Sequence, residues 1–278
     1  MRGSHGQNWA AVWSGADTRY YTESAEYTRA VDINAQGAVV VNGNNGGYQK
    51  STLYIGAQGQ VLIALSTRFD DANPASPFVP TVQAWAINDL NQVVGASDAA
   101  DHSVHAVMWH DGQIFDLYGG IGQDSVAMDI NNAGQIVVNT SLADNSRRAG
   151  LWHGGSLGYL DAAGSAEGLA INAVGAVVGW AAAAAGEHHA FLWEAGLGLD
   201  LNTLVSGGMG EFAYLEAAYG INDLGQIVGQ GRTSAGGYRA FLLTPVPEPA
   251  QWALLACGLG IVWLRRRAGR CASAQRGN

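Results

Sequence analysis

Residues 127–139 read AMDINNAGQIVVN. Two short apolar runs flank a four-residue turn, Asn131 to Gly134. An Asn at the first turn position bonds its own backbone, and a Gly at the fourth supplies the left-handed residue that closes a short hairpin loop. The run that follows is short and β-branched, as a buried strand should be. The pattern recurs as AVDINAQGAVVVN (30–42), AWAINDLNQVVGA (84–96), GLAINAVGAVVGW (168–180) and AYGINDLGQIVGQ (218–230). Its Ile-Asn pairs begin at Ile33, Ile87, Ile130, Ile171 and Ile221, in steps of 54, 43, 41 and 50 residues. The turn positions are Asn34 and Gly37, Asn88 and Asn91, Asn131 and Gly134, Asn172 and Gly175, and Asn222 and Gly225. Asn91 replaces the Gly of the other four. Asn is the next-best residue at positive φ, so the departure supports the turn.

A second element alternates with the first: WAAVWSG (9–15), KSTLYIG (50–56), VHAVMWHDG (104–112), RAGLWHGG (148–155), HAFLWEAG (189–196) and RAFLLTP (239–245). A weaker strand follows it, as in QIFDLYG and LGLDLNTL. Each period therefore holds about four short strands, and a period of about 40–50 residues with four strands is that of a β-propeller blade. A β-solenoid is the alternative, but its coils are shorter and more regular. The fold class predicted is all-β, propeller-like, with five or six blades. The five isoleucines are expected at equivalent buried strand positions, and the turn glycines and Asn91 at positive φ. The first blade lacks its inner strand, so either the C-terminal RAFLL strand closes the ring or blades lie upstream.

HAFLW at His189–Trp193, beside the repeated Ile-Asn-x-x-Gly turn, resembles the bacterial HAF-family extracellular repeat over roughly residues 9–244. The resemblance implies an exported repeat protein, with a β repeat domain over 1–244, and no established chemistry to carry onto particular positions.

The net charge is −9, but Arg265, Arg266, Arg267, Arg270 and Arg276 form a basic end with no acidic residue after position 260. Removing those five leaves nine basic against 23 acidic side chains, −14. A body this acidic repels nucleic acid, whose binding requires basic groups on phosphates. Both cysteines, Cys257 and Cys271, lie in the tail, so the body has no disulfide, Cys-based zinc site or Cys nucleophile. The start, MRGSHGQNWAAVWSG, holds no apolar run of secretory length, and the export signal is expected upstream of Met1.

The end of the chain has three parts in order. Pro247, Glu248 and Pro249 form a rigid extended break. Residues 250–264 are apolar apart from Gln251, and Arg265, Arg266 and Arg267 are an abrupt basic stop. As a helix, fifteen residues reach roughly 22 Å, short of a ~30 Å hydrocarbon core, with arginine snorkelling to cover part of the gap. This order resembles the PEP-CTERM sorting signal of Gram-negative bacteria over residues 245–270, followed here by a basic tail, 271–278. The resemblance implies anchoring in the inner membrane through residues 250–264, with the arginines cytoplasmic. It also implies processing by an exosortase-type enzyme at the Pro-Glu-Pro motif.

Other constellations carry less. His188 and His189 are successive strand residues that point to opposite faces, so they cannot readily share an ion. His105 and His189 occupy one repeat position and read as strand-edge structure. The turn Asp and Asn residues lack the converging loop that calcium needs. Asp70 and Asp71 are the outlying carboxylate pair for glycoside hydrolysis, and a solvated loop explains them better. Trp109, Trp152 and Trp193 read as packing residues, while Trp85, Trp180, Tyr20 and Tyr21 are the aromatics available to stack on sugars. No catalytic residue, metal or cofactor is expected. The leading reading is a non-enzymatic surface or exopolysaccharide-matrix protein. The alternative is a carbohydrate-binding module or hydrolase on the same scaffold, because a fold alone does not decide function.

Overall fold

A computed structural model describes residues 10–14, 17–21, 27–45, 48–56, 58–62, 81–119, 123–162, 164–183 and 186–246. The sorting motif, the apolar run, the arginine stop and Asp70-Asp71 lie outside them. The chain divides into two units, 1–243 and 244–278. In the second unit only Thr244, Pro245 and Val246 are described. Among the described residues, no helix is long and apolar enough to cross a membrane.

The first unit is built from antiparallel sheets, taken here in chain order. Sheet 1 is a hairpin, β1 (Ala10–Ser14) with β2 (Asp17–Tyr21). Sheet 2 contains β3 (Tyr27–Ile33), β4 (Val39–Asn45), β5 (Tyr48–Ile55) and β6 (Gln58–Val61). Sheet 3 contains β7 (Val82–Ile87), β8 (Val93–Asp98), β9 (Val104–His110) and β10 (Gln113–Asp116). Sheet 4 contains β11 (Ser125–Ile130), β12 (Ile136–Ser141), β13 (Arg147–His153) and β14 (Ser156–Tyr159). Sheet 5 contains β15 (Ala166–Ile171), β16 (Val177–Ala182), β17 (His188–Glu194) and β18 (Leu197–Asp200). A one-turn helix, α1 (Leu201–Leu204), takes over part of the segment expected as a weak strand. Sheet 6 contains β19 (Phe212–Ile221), β20 (Ile227–Thr233) and β21 (Tyr238–Leu243). Strands neighbour one another in sequence order within every sheet. The RAFLL strand is β21, which pairs with β20 and not with β1 or β2. It is therefore the third strand of its own sheet and, among the described residues, makes no pairing with sheet 1.

The repeated turn joins the first two strands of sheets 2 to 6. Its φ values are +76° at Gly37, +73° at Gly134, +87° at Gly175, +72° at Gly225 and +57° at Asn91. The Asn131 carboxamide oxygen accepts from the amides of Ala133 and Gln135, both at 3.1 Å, and its own carbonyl accepts from Gly134 at 3.1 Å. One side chain thus satisfies the amides that a tight turn leaves unpaired. The first strand of each of these sheets also carries a bulge just before its isoleucine, at Ala30/Asp32, Ala84/Ala86, Ala127/Asp129, Gly168/Ala170 and Ala218/Gly220. A bulge re-aims the residues after it, here toward the next sheet.

The core lies between sheets, not within them. Successive residues of the second strand face opposite neighbours, as period-two geometry requires. Val93 packs toward sheet 2 with Val40 and Leu53, while Val94 packs toward sheet 4 with Ile130 and Ile136. Val177 and Val178 divide in the same way between the two seams of sheet 5. Runs such as VVG are apolar on both faces because both faces are covered. Trp109 and Trp193 are core residues and Trp152 is half-buried. The five isoleucines are not equally covered. Ile87, Ile130 and Ile171 are buried and Ile221 is half-buried, but Ile33 is exposed, because sheet 1 beside it has only two strands among the described residues.

Candidate functional site

The two ends of the sheets differ in chemistry. At one end the five Asn turns surround a cavity of about 250 Å³, lined by Ile33, Ile87, Ile130, Ile171 and Ile221 and by the turn residues after them. The asparagines link neighbouring repeats. The side-chain amide of Asn34 donates to the Asn88 carbonyl (3.1 Å), Asn88 to Asn131 (3.2 Å), Asn131 to Asn172 (3.0 Å) and Asn172 to Asn222 (3.3 Å). Carboxylates reinforce the ladder. Asp89 accepts from the Ala35 amide and Asp223 from the Ala173 amide, both at 2.8 Å. Asp32 accepts from the amides of Ile33 and Ile87, and Asp129 from those of Ile130 and Ile171. Burial raises the pKa of both Asp32 and Asp129 against those backbone bonds. Asp129, which also feels the Asp32 charge, is pushed up to about 6. Amides from the Ala35 backbone and the Asn132 side chain hold half-buried Asp89 below its usual range. These polar groups are committed to joining one repeat to the next.

The opposite end carries side chains of a different kind. The residue before the Ala of the second element is the second residue of the third strand, and its partner sits eleven residues later on the fourth. His105 Nδ1 lies 2.8 Å from Asp116 Oδ2, and His189 Nδ1 lies 2.7 Å from Asp200 Oδ2. These histidines are therefore hydrogen-bonded across two strands rather than plain edge residues. Burial would raise Asp200, but His189 and Asn202 together hold it below the ordinary carboxylate range. In sheet 4 the same two positions hold Arg148 and Tyr159, with the guanidinium 4.0 Å from the ring centroid. The contact between these two positions has changed from a hydrogen bond to a cation–π contact.

Around sheet 4 this rim becomes richer. Tyr118, in the link from sheet 3, donates to Gln123 (2.7 Å). Burial, followed by its hydrogen bond with Tyr159, raises its phenol pKa. Arg147, next to Arg148 on β13 and so pointing to the other side, pairs with Glu167 of sheet 5. The second oxygen of Glu167 accepts from Trp180 Nε1 at 3.0 Å. The Trp180 ring lies stacked on His188, with centroids 4.0 Å apart and planes 12° apart. Three aromatic side chains besides His188, two guanidiniums and a carboxylate thus stand at this end of the sheets, half-buried or exposed. Cross-strand pairing of Glu167 with Trp180 and an aromatic stack keep the indole in one orientation.

Of the aromatics named from the sequence, only Trp180 belongs to this array. Trp85 is the bulge residue of β7, and Tyr21 packs in the core beside Tyr54. Tyr20 is exposed on the β2 hairpin strand. Tyr118, Arg147, Arg148, Tyr159 and Glu167 had no motif of their own. The available signal was the eleven-residue spacing, His105 to Asp116 and His189 to Asp200, at which Arg148 and Tyr159 also stand.

The fold and this rim define an all-β protein of successive antiparallel sheets, with turn residues around a central cavity and an aromatic, charged rim at the far end. No family model and no curated protein matches the chain. Among solved structures, the Aleuria aurantia lectin is described as a fungal lectin with a six-bladed β-propeller fold and a novel fucose recognition mode. It aligns over 84% of this chain and 74% of its own, at 10% identity and a TM-score of 0.40. A mutant of that lectin in complex with Fucα1-6GlcNAc aligns over 87% of this chain and 89% of its own, at 14% identity and a TM-score of 0.38.

Proposed function

We propose that this protein is a non-enzymatic saccharide-binding repeat protein of the cell surface or exopolysaccharide matrix. The observation that carries the proposal is the Trp180 array: an indole fixed by Glu167 and backed by His188, beside Arg147. Sugar rings present an apolar C–H face and a fringe of hydroxyls. A fixed aromatic face meets the first, and planar carboxylate and guanidinium groups meet the second. Arg148, Tyr159 and Tyr118 stand at the same end on the other face of sheet 4. Among the described residues, Asp32 and Asp129 accept backbone amides, Asp116 and Asp200 bind histidines, and Glu167 holds Trp180 and Arg147, which supports binding over hydrolysis. The acidic body favours neutral over anionic polysaccharides.

Affinity electrophoresis in gels containing dextran, galactomannan or alginate tests the proposal. Retardation by a neutral polysaccharide is expected, with the glycan unshortened. Trp180→Ala is expected to weaken it about tenfold, the loss of one stacking contact and its anchored polar neighbours, with the circular dichroism spectrum unchanged. Equal mobility in all gels, or release of shorter sugars, would contradict it.

The tail supplies the route to the surface. Its order of rigid motif, apolar run and arginine stop supports temporary retention in the inner membrane followed by processing at Pro247-Glu248-Pro249. Intact mass of the protein recovered from the surface of an exosortase-bearing host is expected to lack both cysteines and the last five arginines. A surface form ending at Asn278, unaffected by Glu248→Ala, would overturn this route.

A further inference from the structure

The ladder of Asn turns has two unfinished ends. Asn34, Asn88, Asn131 and Asn172 are buried and each reaches the next turn, whereas Asn222 is exposed and its amide stays on its own Gln226 at 2.8 Å. Burial marks the same two ends. Val228 of sheet 6 is 48% exposed, while its repeat equivalents Val40, Val94, Val137 and Val178 are all at 0%. On the other side, Ile33 is 50% exposed against 6–7% for Ile87, Ile130 and Ile171, and Trp13 is 75% exposed against 3% for Trp109 and Trp193. A groove of about 290 Å³, mostly apolar, runs between β1 and β3 beside Trp13 and Ile33.

The topology says what is missing between these walls. β1 packs on β3 as β5 packs on β7, β9 on β11, β13 on β15 and β17 on β19. Sheet 1 therefore consists of the third and fourth strands of a blade, covered on one face by Val39 and Val41. Among the described residues, no inner hairpin with an Asn turn pairs with it. We infer that the gap is the docking site of one further β-hairpin of the Ile-Asn-x-x-Gly kind, seated beside β1 in the place the inner hairpin takes in sheets 2 to 5. Both walls are apolar, so the occupant is apolar on both faces, as β8 and β12 are. Its turn takes the amide of Asn222 and gives its own to the Asn34 carbonyl. In sheets 2 to 5 the inner hairpin is followed directly by the third strand, so a hairpin seated ahead of β1 fits the gap, whereas a second copy, whose own hairpins are already built into sheets, does not.

The test uses the full chain and a synthetic peptide of residues 166–182, the β15–β16 hairpin, as the probe. A fusion of that hairpin ahead of the chain is a second arm. Acrylamide quenching of Trp13 is read as the difference between the chain and its Trp13→Phe variant. Peptide or fusion is expected to bring Trp13 quenching down to that of a buried indole, and the fusion to raise the unfolding midpoint. Asn172→Ala in the peptide is expected to weaken binding about tenfold, through the lost turn and ladder bonds. Trp13 remaining fully quenchable in both arms would overturn the inference. So would covering of Trp13 by concentrating the chain alone, which would mark a self-association surface.

Discussion

Gly179→Ala is expected to destabilise the protein far more than any substitution in the conserved-looking turns. A Cβ at Gly179 would sit 1.9 Å from the Glu167 carbonyl oxygen, and one at Gly95 would sit 2.1 Å from that of Gln83. Backbone, not a flexible side chain, is in the way, so the inner strand must move off its seam. Overpacking of this kind costs about 3–4 kcal/mol, the upper end for an added methyl group. Sheets 2 and 4 carry Val41 and Val138 at the same repeat position, so Gly179→Val is a substitution the repeat itself uses elsewhere, yet it is expected to prevent native packing here. The turn glycines are different. Gly37 and Gly134 have open space around the Cβ position and only a positive φ to satisfy. Gly225, at +72°, is expected to cost about 1–2 kcal/mol on replacement by Val, from left-handed strain alone. Urea denaturation of the Gly179→Ala and Gly225→Val variants measures both. Equal losses would mean that the strand glycine does not mark a close backbone approach.

The second large effect is a pH dependence centred on Asp129. Its folded pKa is raised from 3.8 to about 6 by burial, which outweighs the two backbone amides it accepts, and the Asp32 charge adds to the rise. A carboxyl whose folded pKa is raised favours the native state while protonated. That contribution is complete below the unfolded value and is lost as pH rises through about 6. The span corresponds to about 3 kcal/mol as an upper bound. Asp129→Asn removes the titration but leaves one of two amides without its acceptor, at a pH-independent cost of about 1–2 kcal/mol. The variant is therefore expected to be the less stable protein at pH 4 and the more stable one at pH 7.5, with the curves crossing between. Denaturation midpoints of the two proteins across that range are the measurement. A stability difference that stays constant with pH would show that Asp129 does not carry the dependence.

Much of the scaffold was legible in the amino-acid order, because its signals are local. Asn131 and Gly134 lie three residues apart and close one turn, and the unbroken apolar runs VVG and IVV belong to strands covered on both faces. The site was less legible. Trp180 stood out only as an irregular aromatic. Arg147, Glu167 and His188 come from three strands of two sheets, and no spacing in the chain brings them together. His105 and His189 looked like edge residues because their partners, Asp116 and Asp200, are supplied by the next strand.

The sequence by itself determined the repeated hairpin turn, the short strands with their between-sheet apolar faces, and an acidic body with a basic end. Each of these depends on contacts within a few residues or on charge summed over the chain. Only the tertiary structure decided how one repeat holds the next. The Asn amides, Asp32 and Asp129 reach backbone groups 41 to 55 residues away, and that pairing exists only once neighbouring sheets have packed. It also decided that Ile33 and Trp13, which share a pattern with buried residues, lie exposed. A residue's pattern states which face it belongs to, but burial requires a neighbour on that face, and the neighbour belongs to another part of the fold.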